Sequence, residues 1–117
     1  MNTRVRSILE HMLEDAQDAI KFASEAGNIE VFSSNKMIYK AVVMSILNIG
    51  ELVKHLPQEY RIAHAKIPWK NISGMRDIAA HGYHTMNYKI IWDVVTNYIP
   101  NLADFIKKQL NQSPPLD

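Results

Sequence analysis

The chain of 117 residues contains no cysteine. A disulfide scaffold and a thiolate zinc site are therefore excluded, and a domain this small must be held by its core and by any partner chain. Long apolar runs are missing too, since none approaches the roughly 18 residues that a membrane span needs. The opening Met1-Asn2-Thr3-Arg4-Val5-Arg6 is basic, but Glu10, His11, Glu14 and Asp15 break the apolar stretch behind it. That is not the pattern of a signal peptide, so the expected location is cytoplasmic, with no membrane partner. No alternating run bounded by turns marks a strand. Charge of one sign is not in excess either. With a formal net charge of +1, the whole chain is not a nucleic-acid-binding polycation.

What is present is an ordinary globular balance, 47% hydrophobic and 21% charged, in a length that suits one domain. The expected domain covers residues 1–112. Residues 113–117, with Pro114 and Pro115, read as a flexible tail, because prolines stop a helix and little there can be buried. Charge is unevenly spread. Glu10, Glu14, Asp15, Asp18, Glu25 and Glu30 outnumber Lys21, whereas Arg61, Lys66, Lys70, Arg76 and Lys89 outnumber Asp77. A locally positive surface can attract phosphate even at a net charge near zero, although a solvated helix face produces the same pattern.

Apolar periodicity predicts four helices. Val5, Ile8, Leu9, Met12, Leu13, Ala16, Ala19, Ile20 and Ala23 recur at steps of three and four, so a first helix is expected over Thr3–Ala26, stopped by Gly27-Asn28. Ile29 to Phe32 reads as a short turn, and Ser33-Ser34-Asn35 offers an N-cap. A second helix is expected from Lys36 to Leu56, ended by Pro57. Gln58 to Pro68 reads as loop with one helical turn. A third helix runs from Trp69 to Ala80 or Gly82, with Pro68 well placed at its entry. A fourth starts near Met86 and carries Pro100 inside its pattern, where the ring should kink or divide it. The expected fold is all-α: an up-and-down four-helix bundle with a kinked last helix. Several apolar stripes are wide, so a homodimer is expected. Trp69 and Trp92 are expected to anchor the core or an interface, and the six methionines to fill the core.

The chemistry concentrates in Arg76-Asp77-Ile78-Ala79-Ala80-His81-Gly82-Tyr83. Arginine offers a permanently charged planar fork for phosphate. Histidine is the usual acid–base group near neutral pH. Asp77 could orient the imidazole, and Tyr83 could donate a hydrogen bond or stack on a base. Lys70 and His84 are further candidates for RNA contact. These are the parts of a metal-free RNA cleavage site, with no cofactor and no metal expected. His11 and Asp15 lack a third ligand. On one helix, however, the five-residue step from Arg76 to His81 turns about 140°. Two copies across a two-fold axis would form a joint cleft more easily. The plain alternative is a helix end, with surface Arg76 and Asp77, a dipole-favoured His81 and Gly82 as C-cap. Glu51 and Lys54 are either an exposed part of the second helix or, for Glu51, a neighbour of the motif helix.

The stretch from Ile67-Pro68-Trp69 to Trp92, centred on that motif, resembles the HEPN domain family. It is most similar to the HepT-type toxin branch, whose signature is Arg, four residues, His, one residue, Tyr. Ile49-Gly50-Glu51, Gly74-Met75 and the last helix are similar as well. The resemblance implies a helical-bundle homodimer with two motifs lining one cleft. It implies a metal-independent endoribonuclease in which Arg76 and His81 are catalytic and Asp77 is a polar residue the family accepts. It also implies a minimal nucleotidyltransferase antitoxin as partner, which transfers AMP to Tyr83. The alternative is a non-catalytic helical module that binds a nucleotide or such a nucleotidyltransferase through Arg76 and Tyr83.

Overall fold

A computed structural model describes residues 1–112; the tail expected at 113–117 lies outside the described residues. Helix α1 covers Thr3–Ala26, where Asn2 caps the start by accepting from the Val5 amide. Gly27 takes φ 79° at its end, a left-handed value that suits glycine. Helix α2, Ile29–Ser34, replaces the turn expected there. The reason is Asn28: its side chain accepts from the Val31 amide and starts a new helix. Asn35 does the same for α3, Lys36–Lys54, by accepting from Ile38. Helix α3 stops two residues before the expected Leu56, which is nevertheless buried. Helix α4, Gln58–Ala63, is the anticipated turn.

Helix α5 covers Trp69–Thr85 and so passes straight through Gly82. Gly82 as C-cap is therefore a reading the structure corrects. The helix ends instead at Met86, in the left-handed region at φ 56°. The amide of Asn87 donates to the Gly82 carbonyl at 2.8 Å and that of Met86 to Tyr83 at 3.2 Å. Gly82 is small for another reason: a Cβ there would lie 3.0 Å from the Ile91 side chain. Asn87 then caps α6, Tyr88–Asp93, two residues later than expected. A π-helical turn over Val94–Tyr98 joins α6 to α7, Ile99–Gln112. This is the physical form of the interruption expected at Pro100. A proline ring collides with the carbonyl four residues back, and a wider turn just before it gives that carbonyl room.

Four long segments, α1, α3, α5 and the α6–α7 run, make the bundle. Helix α1 packs on α3 and α7, and α3 packs on α5. Leu9, Met12, Phe32, Ile46, Ile49, Ile91, Ile99 and Ile106 fill the centre. Trp69 is buried against Phe105, and the half-buried Trp92 lies against Phe32, so both serve the core. No described helix is long and apolar enough to cross a membrane.

One charge sits awkwardly in this packing. Asp15 on α1 is partly buried, and desolvation raises its pKa. Asn48 on α3 opposes this by hydrogen bonding, Asp18 and Glu14 add to the rise, and His11 opposes it. A carboxyl whose pKa is raised on folding stabilises most below its unfolded value and less as pH climbs through the folded one. Asp15→Asn is therefore expected to raise the melting temperature at neutral pH, with the gain shrinking on acidification. An unchanged or lower melting temperature at pH 7 would contradict this assignment.

Candidate functional site

The motif helix is placed by a close approach. Gly50 on α3 lies so near α5 that a Cβ would sit 2.7 Å from the Arg76 Cβ, 3.1 Å from its amide nitrogen and 3.2 Å from the Ser73 carbonyl. The next residue on α3, Glu51, forms an ion pair with the Arg76 Nε. Lys54 lies 3.4 Å from the same carboxylate. Of the two positions left open for Glu51, the structure shows the one beside the motif helix. Arg76 also reaches Asp77, Nη1 to Oδ1, at 3.4 Å. Asp77 thus touches the arginine here rather than His81. The Arg76 side chain keeps 44% of its surface exposed, so its fork still faces solvent.

Tyr83 lies two turns further along the same flank of α5. Its ring stacks on Tyr39 of α3, with centroids 5.9 Å apart and planes 17° from parallel. Tyr39 is buried and donates its hydroxyl to the Gly82 carbonyl at 2.9 Å. Burial, with Tyr88 and Tyr83 adding to it, pushes the Tyr39 phenol above its usual pKa, so it stays a neutral donor. Phe32 and Tyr88 pack edge-on against the same ring. The end of the motif helix is thereby fastened to the core through an aromatic cluster.

His81 faces another way. Its side chain is exposed, as are those of Lys70, Asp77 and His84. The His84 ring meets Tyr83 edge-on at 6.1 Å. Since α5 is one helix from Trp69 to Thr85, Arg76 and His81 diverge by about 140° around it. The structure therefore brings Arg76 and Tyr83 towards the α3 side and leaves Asp77, His81 and Lys70 on the outward face, with Asp77 reaching back to Arg76. Lys70 is six residues before Arg76, about 9 Å along the helix. Among the described residues, no three histidine or acidic side chains are grouped to hold a metal ion. His11 instead contacts the Ser7 carbonyl through Nδ1 at 2.8 Å.

The arrangement can be set beside known proteins. The family described as Ribonuclease HepT-like matches residues 9–109. This chain belongs to the HepT-like ribonuclease family. A relative from Caldanaerobacter subterraneus subsp. tengcongensis, named "Putative RNase", is 39% identical over 107 residues, which is 92% of this chain and 95% of that one. A "Putative RNase" of Methanocaldococcus jannaschii is 39% identical over 97 residues, 83% of this chain and 79% of its own. A protein of Thermococcus cleftensis named "Probable ribonuclease HepT" is 31% identical over 99 residues, 82% and 90% of the two chains. No solved structure gives a significant match.

In this HepT-like chain, the supports of the motif were the residues that sequence reasoning missed. Tyr39 falls outside the apolar stripe that marks this helix in the sequence. Its role depends on a contact 43 residues away, which no local spacing encodes. Gly50 carried a usable signal: a glycine inside a helix costs about 1 kcal/mol, so it calls for a packing reason.

Proposed function

We propose that the protein is a metal-independent endoribonuclease of the HepT toxin type, acting as a homodimer. The observation that carries this reading is the family match over residues 9–109, with Arg76 and His81 both solvent-facing on one helix. His81 removes the proton of a ribose 2′-OH. The oxygen attacks the adjacent phosphorus, and the bond to the 5′ oxygen breaks as that oxygen takes up a proton. The products are a 2′,3′-cyclic phosphate and a 5′-OH end. Arg76 stabilises the charge that builds on the phosphoryl oxygens. The divergence of Arg76 and His81 around α5 supports a dimer, since a facing copy can present one group beside the other across a two-fold axis. Exposed Met37 and Met44 on α3, which borders the motif helix, offer apolar surface for that contact.

The test is cleavage of total RNA by the purified protein in excess EDTA, with analysis of the product ends. Cleavage leaving 2′,3′-cyclic phosphate is expected. RNA binding without any cleavage at high protein concentration would favour the non-catalytic binding module instead.

The same reading includes a minimal nucleotidyltransferase antitoxin that adenylylates Tyr83. Tyr83 is 37% exposed, so its side chain is not sealed in the core. A phosphodiester there would bring negative charge to the Arg76 side of α5 and compete with RNA phosphate. Intact-mass measurement after incubation with the partner and ATP should show added AMP, and Tyr83→Phe should show none. A mass increase that persists in Tyr83→Phe would reject this residue.

A further inference from the structure

Beside Tyr83 the surface is concave. A groove of about 260 Å³ opens between the start of α3 and the end of α5, lined by Lys36, Tyr39, Tyr83, His84 and Met86. Its floor is aromatic, because Tyr83 is backed by Tyr39 in a near-parallel stack. Tyr39 is fastened by its hydrogen bond to Gly82, so the platform is held in place before any ligand arrives. Met86 forms one wall, 55% exposed and fixed by a left-handed backbone at φ 56°. The rim carries a lysine and a histidine. Lys36 is exposed and forms no ion pair among the described residues, in contrast to Lys54, which is paired with Glu51. His84 stands on the other side, edge-on to Tyr83.

We infer that this groove is a subsite for one nucleotide unit, with the base against Tyr83 and Met86 and the phosphate on Lys36. An aromatic platform beside an unpaired lysine is how single-stranded nucleic acid is held without sequence readout. The volume is below the usual range for a whole small-molecule ligand, and suits a single ring system with its phosphate outside. No role has been given to Lys36 or Met86 in the cleavage step. The subsite would place the nucleotide next to the scissile bond, and in that respect it rests on the ribonuclease reading. A strand of RNA and a free nucleotide share the chemistry, and the strand is the expected occupant because Arg76 lies two turns along the same helix flank to take the neighbouring phosphate.

The experiment is equilibrium binding of a short 2′-O-methyl RNA, which has no free 2′-OH and cannot be cut, and separately of AMP, across a salt series. Lys36→Ala should weaken RNA binding and lower the slope of log K against log salt by about 0.7, the value of one phosphate contact to a single strand. Lys36→Arg should restore both. Tyr83→Ala should weaken binding about 5- to 150-fold, the range for one lost base stack, whereas Tyr83→Phe should keep it. If AMP alone responds to Lys36→Ala, the subsite stands with a free nucleotide as its occupant. If neither ligand responds, the inference is overturned. Cleavage by wild type with no binding effect of Lys36→Ala would remove the subsite and leave the nuclease. Lys36-dependent binding with no cleavage would remove the nuclease and leave the subsite.

Discussion

His81→Ala is expected to abolish RNA cleavage while the protein remains folded. A positioned general acid–base is worth about 10²- to 10⁴-fold in rate. The ring is exposed and makes no hydrogen bond or ion pair among the described residues. Its removal should thus change stability by no more than about 0.5 kcal/mol. Arg76→Ala should cost about 10²- to 10³-fold, the usual loss of one group that stabilises transition-state charge. Its stability effect should also be small. The pair with Glu51 is close to half-exposed on both sides, and exposed ion pairs contribute about 0–1 kcal/mol. Alanine also keeps the Cβ that packs against Gly50. Arg76→Lys should fall between, because a point charge cannot reproduce the planar fork. The assay is initial cleavage rate beside a thermal melt for each variant. Wild-type rates in either alanine variant would dismiss that residue as catalytic.

Gly50→Ala should damage both the fold and the activity, although the residue touches no substrate. A Cβ at 2.7 Å from Arg76 Cβ, with Arg76 N and Ser73 O close behind, meets backbone rather than a flexible side-chain end. Helix α5 must therefore move away from α3. Overpacking of this kind costs about 1–3 kcal/mol. At roughly 4–8 °C per kcal/mol for a small domain, the melting temperature should drop by about 5–20 °C. The shift carries Arg76 with it, and a misplacement of about 1 Å can cost 10²-fold in rate. Gly74→Ala is the control. It lies in the same α5, but a Cβ there meets nothing within 4 Å. That variant should be more stable by about 0.5–1 kcal/mol, since alanine is the better helix former. Equal effects of the two substitutions would mean that helix propensity, not the Gly50 contact, governs this seam.

The helices were legible because their signals are local. The stripe from Val5 to Ala23 and the stops at Gly27 and Pro57 lie within a turn or two of what they control. The errors were at ends whose control is not local. Gly82 reads as a C-cap by type, yet it is a glycine because the Ile91 side chain comes close to it, and α5 runs on to a methionine in a left-handed conformation. Gly27-Asn28 reads as a helix stop, yet only Gly27 ends α1, while Asn28 takes an extended conformation and starts α2.

For the candidate site, the order of residues along α5 was enough to name Arg76, His81 and Tyr83 and to calculate that the first two diverge. The all-helical class, the absence of a thiolate site and the interruption at Pro100 were likewise set by composition and spacing. Which flank of α5 faces α3 was decided only by tertiary packing, because the narrow stripe Ile72, Met75 and Ala79 fixes what is buried but not what lies on either side. The pairing of Arg76 with Glu51, the stacking of Tyr83 on Tyr39 and the groove beside Lys36 each join residues at least 25 positions apart. Such contacts depend on how closely two helices approach, and here that distance is set by the missing side chain of Gly50.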